Sequence, residues 1–104
     1  MTDQDPARGD LLQQRLSLVA NLSALNAEAL RLTQGLAGLA MEIQHFELEI
    51  AKKGVTEKLA QDLHGVEMSA ESIRVMQTEC SENIVVVESK VAEVDRLLAA
   101  ADAK

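Results

Sequence analysis

Two apolar heptad ladders, mirror images about Gly54, constrain the fold of this chain more than any other feature. Both alternate steps of four and three residues, which is the spacing of a coiled-coil seam. When the chain folds back at Gly54, the residue numbers of every facing pair sum to 109. The sequence therefore predicts an all-α fold, a long antiparallel two-helix coiled-coil hairpin. The first ladder is Leu11, Arg15, Leu18, Leu22, Leu25, Ala29, Leu32, Leu36, Leu39, Ile43, Phe46 and Ile50. The second is Leu59, Leu63, Val66, Ala70, Ile73, Gln77, Cys80, Ile84, Val87, Val91, Val94 and Leu98.

Capping signals at the amino end offer two starts for the first helix. Asp10 is a good N-cap, and it predicts a flexible N-terminal tail over 1–9 and a first helix over 10–53. The alternative is an earlier start with Asp5 as the cap and Pro6 at the first helical position, where proline is well tolerated.

The turn has clearer signals. Gly54 suits a left-handed C-terminal cap and Thr56 an N-cap, which predicts a turn over 54–56. A second helix over 57–100 and a frayed carboxyl end over 101–104 complete the prediction. The alternative is a single bent helix in a long parallel dimer, because one glycine costs a helix only about 1 kcal/mol.

The seam contains one uncharged polar residue, Gln77, which faces Leu32. A buried polar side chain costs stability but penalises misaligned partners, so Gln77 is interpreted as a register device. Arg15 faces Val94 near the open end, where its guanidinium can reach water, Asp95 or Glu88, or alternatively an acid of another subunit. The seam residues expected to fix the register are Leu18, Leu25, Leu32, Leu39, Phe46, Leu63, Ile73, Gln77, Ile84 and Val91.

Composition excludes several classes of function. The net charge is −7, basic residues do not cluster and aromatic residues are nearly absent, so nucleic-acid binding is not expected. No apolar run is long enough for membrane insertion. Cys80, the single cysteine, is expected to pack as a small buried residue. One cysteine cannot form an internal disulfide, so a reducing cytoplasmic compartment is expected. His45 and His64 are expected to face solvent, so no metal site is expected. No motif or acid–base pair carries chemistry, so we also expect no cofactor, small-molecule substrate or enzymatic activity.

More apolar residues flank the seam than a two-helix hairpin needs. These candidate partner-interface residues are Leu12, Leu16, Val19, Leu30, Val75, Met76, Val85, Val86 and Leu97. Because helices of this kind gain most of their stability from packing, the surplus predicts further helices and a four-helix bundle or larger helical assembly. The additional helices would come from a second copy or from other helical subunits.

The two glycines in the first helix and the acidic residues around the turn each have two possible interpretations. Gly35 and Gly38 are either a soft spot in the first helix or a place of close approach, with Met76 able to fill the gap at Gly35. The acidic residues around the turn form either a solvated surface or a docking tip for a basic partner.

The sequence leads to three functional hypotheses. The first is a non-enzymatic coiled-coil subunit or adaptor of a cytoplasmic complex, such as a tethering, cytoskeletal or kinetochore-like assembly. The second is a small chaperone that covers an amphipathic helix of a client, as secretion chaperones do. The third is a phasin-like granule coat, which the segment 21–40 resembles in composition. Fold alone does not choose among these hypotheses.

Overall fold

Two long helices make up the fold in a computed structural model that describes residues 6–103. Helix α1 spans Pro6–Lys53 and helix α2 spans Glu57–Asp102. The two helices pack against each other as an antiparallel hairpin, and the described part of the chain contains no strand. The predicted fold class is therefore confirmed. The alternative of one continuous helix is wrong, because the residues between Lys53 and Glu57 are not helical.

The turn follows from local chemistry at three residues. Gly54 has a φ of 83°, a left-handed conformation that glycine adopts without a steric penalty, and its amide donates to the Ile50 carbonyl at 2.8 Å. The Thr56 hydroxyl accepts a hydrogen bond from the Leu59 amide at 3.1 Å, which caps the first turn of α2. The turn therefore ends α1 and starts α2 through hydrogen bonds made by its own residues.

The outer helix ends extend beyond the bounds favoured by the sequence. Helix α1 begins at Pro6, the earlier of the two starts, because proline lacks the amide proton that a first helical residue leaves unpaired. Residues 6–9 are thus helical, while residues 1–5 of the expected tail lie outside the described residues. Helix α2 continues to Asp102, and Ala103 donates to the Ala99 carbonyl at 3.0 Å. The expected fraying over 101–104 is thus not seen at 101 and 102, where alanine favours helix, and Lys104 is outside the described part.

The chain divides into two compact units. The turn unit is Glu28–Cys80 and contains the end of α1, the turn and the start of α2. Its buried residues are Leu32, Ala70 and Cys80. A β-carbon on Gly35 would lie 3.4 Å from the Ile73 Cδ1 atom, so the two helices approach closely there. Ile73, and not Met76, fills the gap at this glycine.

The terminal unit comprises α1 up to Ala27 and α2 from Ser81. Val87 and Val94 are its buried apolar residues. Two ion pairs join its helices: Arg8 Nε lies 3.2 Å from Asp102 Oδ1, and Arg15 Nε lies 2.6 Å from Asp95 Oδ1. Residues 80 positions apart in the chain are thereby brought together, as an antiparallel pairing requires.

Candidate partner-binding surface

The seam of each unit is thin. Every ladder position is buried or half-buried, but in the described residues only five apolar residues are buried. Among the ten predicted register residues Leu32 is buried and the other nine, including Gln77, are half-buried. No buried side-chain nitrogen or oxygen in residues 6–103 lacks a hydrogen-bond partner. Two helices alone therefore leave much of each seam side chain in contact with water.

All nine candidate interface residues are exposed, with 37 to 64% of their surface accessible. Scattered exposed apolar side chains are normal on any protein. Their arrangement along a helix therefore carries more information than their number.

On α1 these residues share one side of the helix. Leu12, Leu16, Val19 and Leu30 each follow a ladder residue by one position, so they repeat the ladder's steps beside it. Up to residue 40, the same spacing includes five exposed residues that the sequence reasoning did not single out; beyond it the spacing continues to Gln44 and to the charged Glu47. We call the part between residues 12 and 40 the outer stripe of α1: Leu12, Leu16, Val19, Ser23, Asn26, Leu30, Thr33, Ala37 and Ala40.

On α2 the candidate residues do not form one surface. Met76, Val86 and Leu97 each precede a ladder residue, whereas Val85 follows one, so these residues do not share one flank of the seam. Val75 is next to no ladder residue and faces further outward. In the terminal unit, Leu97 borders an open groove of about 650 Å³ whose exposed surface is mostly apolar, although polar residues such as Gln14 and Lys90 contribute to its lining.

Charge is distributed very unequally between the helices. Residues 12–40 of α1 contain three charged side chains, Arg15, Glu28 and Arg31, and each of them is in an ion pair. Residues 69–97 of α2, which the register places opposite, contain nine. The outer stripe of α1 contains none. A long exposed face without charge is unusual on a helix that faces only water.

The ion pair of Arg15 settles one choice that the sequence left open. Its guanidinium donates to Asp95, at 2.6 Å from Nε and 3.4 Å from Nη2, and not to Glu88. These hydrogen bonds, and then the positive charge, hold the pKa of the Asp95 carboxyl below its ordinary value and raise the pKa of Arg15. Arg15 therefore joins α1 to α2 at the edge of the seam, through an ion pair within this chain.

The remaining polar residues occupy ordinary positions. Cys80 is buried, and His45 and His64 are exposed, with the His45 ring 5.7 Å from the Phe46 ring. Across residues 6–103, no three His, Cys, Asp or Glu side chains are grouped as metal ligands would be. Within the same range, neither helix has a stretch that is apolar and long enough to cross a bilayer. Near the turn, Lys53 pairs with Glu49 and Lys58 with Asp62.

Comparison with protein-family models, with curated proteins and with solved structures finds no match to this chain.

Proposed function

We propose that this protein is a non-enzymatic helical subunit or adaptor that joins a larger cytoplasmic assembly by helix-bundle packing. Assemblies that tether membranes or organise the cytoskeleton or kinetochore are the class that such a subunit suits. The observation that carries the proposal is the outer stripe of α1, which is exposed, uncharged and continuous in spacing with the seam. A second helix against this stripe would turn a thin two-helix contact into a bundle.

The total accessible surface supports the same proposal. The chain exposes 7313 Å², whereas a monomeric globular protein of 11.3 kDa exposes about 5,700 Å². The excess of roughly 1,600 Å² exceeds the ~800 Å² that each partner buries in a standard protein interface. The chain therefore exposes more surface than a globular protein of its mass.

Affinity capture from the native cells tests this proposal. The tagged chain is compared with Leu16→Lys, which puts a charge on the outer stripe, and with Ser17→Lys, which puts the same charge on a neighbouring exposed residue off the stripe. We expect the original chain and Ser17→Lys to retain the same helical proteins at fixed stoichiometry, and Leu16→Lys to lose them. Circular dichroism of each variant verifies that the helices are kept.

Two results would contradict the proposal. One is recovery of the chain with no other protein. The other is equal recovery of partners by both lysine variants, because binding would then not depend on the outer stripe.

A client-binding chaperone is the second candidate, and the exposure of the outer stripe in a single chain favours it. Such a protein would exchange its clients, whereas a structural subunit stays with fixed partners. Pulse labelling followed by capture separates the two: a constant set of partners at constant ratios supports the subunit, and rapid replacement of partners supports the chaperone.

A further inference from the structure

We propose that one face of α2 in the turn unit binds an amphipathic helix of another protein, whose apolar side is edged by lysine or arginine. This face is separate from the outer stripe of α1, and the inference does not depend on that stripe. We call it the methionine face of α2, and it consists of six exposed, uncharged residues: Gly65, Met68, Ser69, Ser72, Val75 and Met76.

The spacing of these six residues places them on one side of the helix. Successive members are one or three positions apart, and residues three and four apart lie on the same face. Met68, Val75 and Met76 leave 60, 52 and 44% of their surface accessible. The face covers 12 residues, 65–76, of one uninterrupted helix, which is about 18 Å or three turns. It therefore offers apolar surface along about three turns of a partner helix.

The shape of the methionine face suits a helix. Two shallow, mostly apolar depressions of about 360 and 460 Å³ lie on it. The residues around the first include Met68, Glu71, Ser72 and Val75. The residues around the second include Ser69, Ser72, Ile73 and Met76. Four residues at i, i+3, i+4 and i+7 form the hole that receives one side chain of a facing helix, so two consecutive holes are open on α2.

The edge of the methionine face toward α1 is low. Ile73 lines the second depression, and a β-carbon on Gly35 would lie 3.4 Å from its Cδ1 atom. Because Gly35 has no side chain, a partner helix can approach Ile73 from that side. Met68 and Met76 have flexible side chains that adapt to whatever packs against them.

Charge identifies the chemistry of the partner. The charged residues at the borders of the methionine face are acidic: Asp62 before it, Glu71 at its outer edge and Glu79 after it. Lys58 pairs with Asp62 and Arg74 with Glu71, whereas Glu79 has no ion-pair partner among residues 6–103. The turn unit has nine acidic and five basic residues, and therefore a net charge of −4. Lysine or arginine beside the apolar side of a partner helix complements this surface.

The same charges disfavour other occupants of the methionine face. A second copy of this chain would bring another net charge of −4 against the first. Nucleic acids and anionic lipids are themselves negatively charged. A helix of a different protein with basic edges is the occupant that the apolar holes and the acidic borders both favour.

Fluorescence anisotropy with a designed peptide tests the proposal. The probe is a labelled peptide of roughly 14 residues, with leucine at alternating steps of three and four and lysine elsewhere, titrated with the full chain. Met68→Ala and Met76→Ala should each weaken binding about tenfold, because an apolar side chain that the peptide would cover is removed. Met41→Ala removes the same side chain from an exposed position on α1 of the same unit and should leave binding unchanged. Circular dichroism of each variant verifies that the helices are kept.

Control peptides separate helix docking from attraction by charge. One has the same composition with its leucines scattered so that no apolar side forms, and the other has glutamate in place of lysine. Both should bind more weakly by about tenfold or more. Equal binding of the scattered peptide would overturn the proposal, because charge alone would then hold the peptide.

A pair of glutamate variants tests the chemistry of the partner. Glu79→Gln should weaken binding of the basic peptide at low salt more than Glu47→Gln, which removes the same charge from α1 of the turn unit, away from this face. High salt should abolish the difference, since these side chains are exposed. Equal effects of the two substitutions at low salt would contradict the assigned partner chemistry.

Nuclear magnetic resonance of methionine methyl groups locates the bound peptide on the original chain. The signals are assigned from the three alanine variants. Those of Met68 and Met76 should move when the basic peptide is added, and that of Met41 should not. A shift of Met41 as large as theirs overturns the site. Movement of the Met68 and Met76 signals when the free chain is diluted overturns the partner, because a second copy then covers the face.

The outer stripe of α1 provides an independent comparison. Leu16→Lys should lose the captured partners of the proposed function and still bind the peptide as the original chain does. Loss of peptide binding in Leu16→Lys would overturn the proposal, because the peptide would then occupy the outer stripe. A chain that captures no protein but binds the peptide through Met68 and Met76 removes the proposed assembly and keeps this surface.

Discussion

Replacing Gly38 with alanine should stabilise the hairpin, and replacing Gly35 should stabilise it less. Glycine within a helix is less favourable than alanine by about 0.8–1.0 kcal/mol. A β-carbon on Gly38 would have nothing within 4 Å, so the gain there should reach that full value. A β-carbon on Gly35 would lie 3.4 Å from the Ile73 Cδ1 atom, the near limit of an ordinary contact, so Ile73 must adjust. Part of the gain at Gly35 should be lost to this adjustment.

Thermal unfolding, followed by far-ultraviolet circular dichroism, measures both effects. A gain of 1 kcal/mol raises Tm by about 4–8 °C in a domain of roughly this size. Chain concentration must be the same in every sample, because the Tm of a self-associating protein depends on its concentration. Neither glycine belongs to the outer stripe of α1, so the oligomeric state should not change, and sedimentation can verify this.

The sign of the change at Gly38 is the decisive result. A lower Tm for Gly38→Ala would refute the reasoning, because it would mean that another surface already occupies the space beside this glycine. A lower Tm for Gly35→Ala alone would show that Ile73 cannot adjust, and that the close approach of the helices is rigid there.

Three other substitutions test the seam and its edge. Leu32→Ala should lower the free energy of unfolding by about 2–5 kcal/mol in denaturant titration, since Leu32 is 8% exposed. Gln77→Leu should raise Tm, because an apolar side chain replaces a polar one in the seam, and it should allow mispaired oligomers, visible by light scattering. Asp95→Asn should lower Tm at neutral pH but not at strongly acidic pH. The pKa of Asp95 is lowered by Arg15, so its contribution is present above the ordinary aspartate pKa, about 3.9, and is lost as the pH falls through the lowered value.

The fold could be read from the sequence because one physical signal dominates it. A repeat of four and three places the same side of a helix toward a partner, and the 24 ladder residues are all buried or half-buried. Gly54 and Thr56 end and restart the helix by local chemistry that does not depend on distant residues. The capping signals are therefore local, and the ladder repeats often enough along each helix to be recognised.

Details that depend on competing local options were harder to predict. Asp10 and Pro6 both offered acceptable starts to α1, and the helix begins at the earlier one, Pro6. Arg15 had two acids within reach, and only coordinates distinguish Asp95 from Glu88. The neighbour of Gly35 depends on the rotation of α2, which brings Ile73 closer than Met76.

The outer stripe of α1 was only partly visible in the sequence. Leu12, Leu16, Val19 and Leu30 attract attention because they are large, whereas Asn26 and the small residues between and beyond them do not. The step of four and three, one position after the ladder, was the signal that could have found them.

The antiparallel pairing also sets an order for folding. Ile50 and Leu59, which face each other beside the turn, are nine residues apart, whereas Arg15 and Asp95 are separated by 80. Closing the longer loop first would cost about 2 kcal/mol more chain entropy. Structure should therefore spread from Gly54, and the terminal unit should close last and open first. Leu12, Leu16 and Val19 belong to that late segment, so the amino-terminal part of the outer stripe exists as an ordered surface only after the rest of the hairpin has formed.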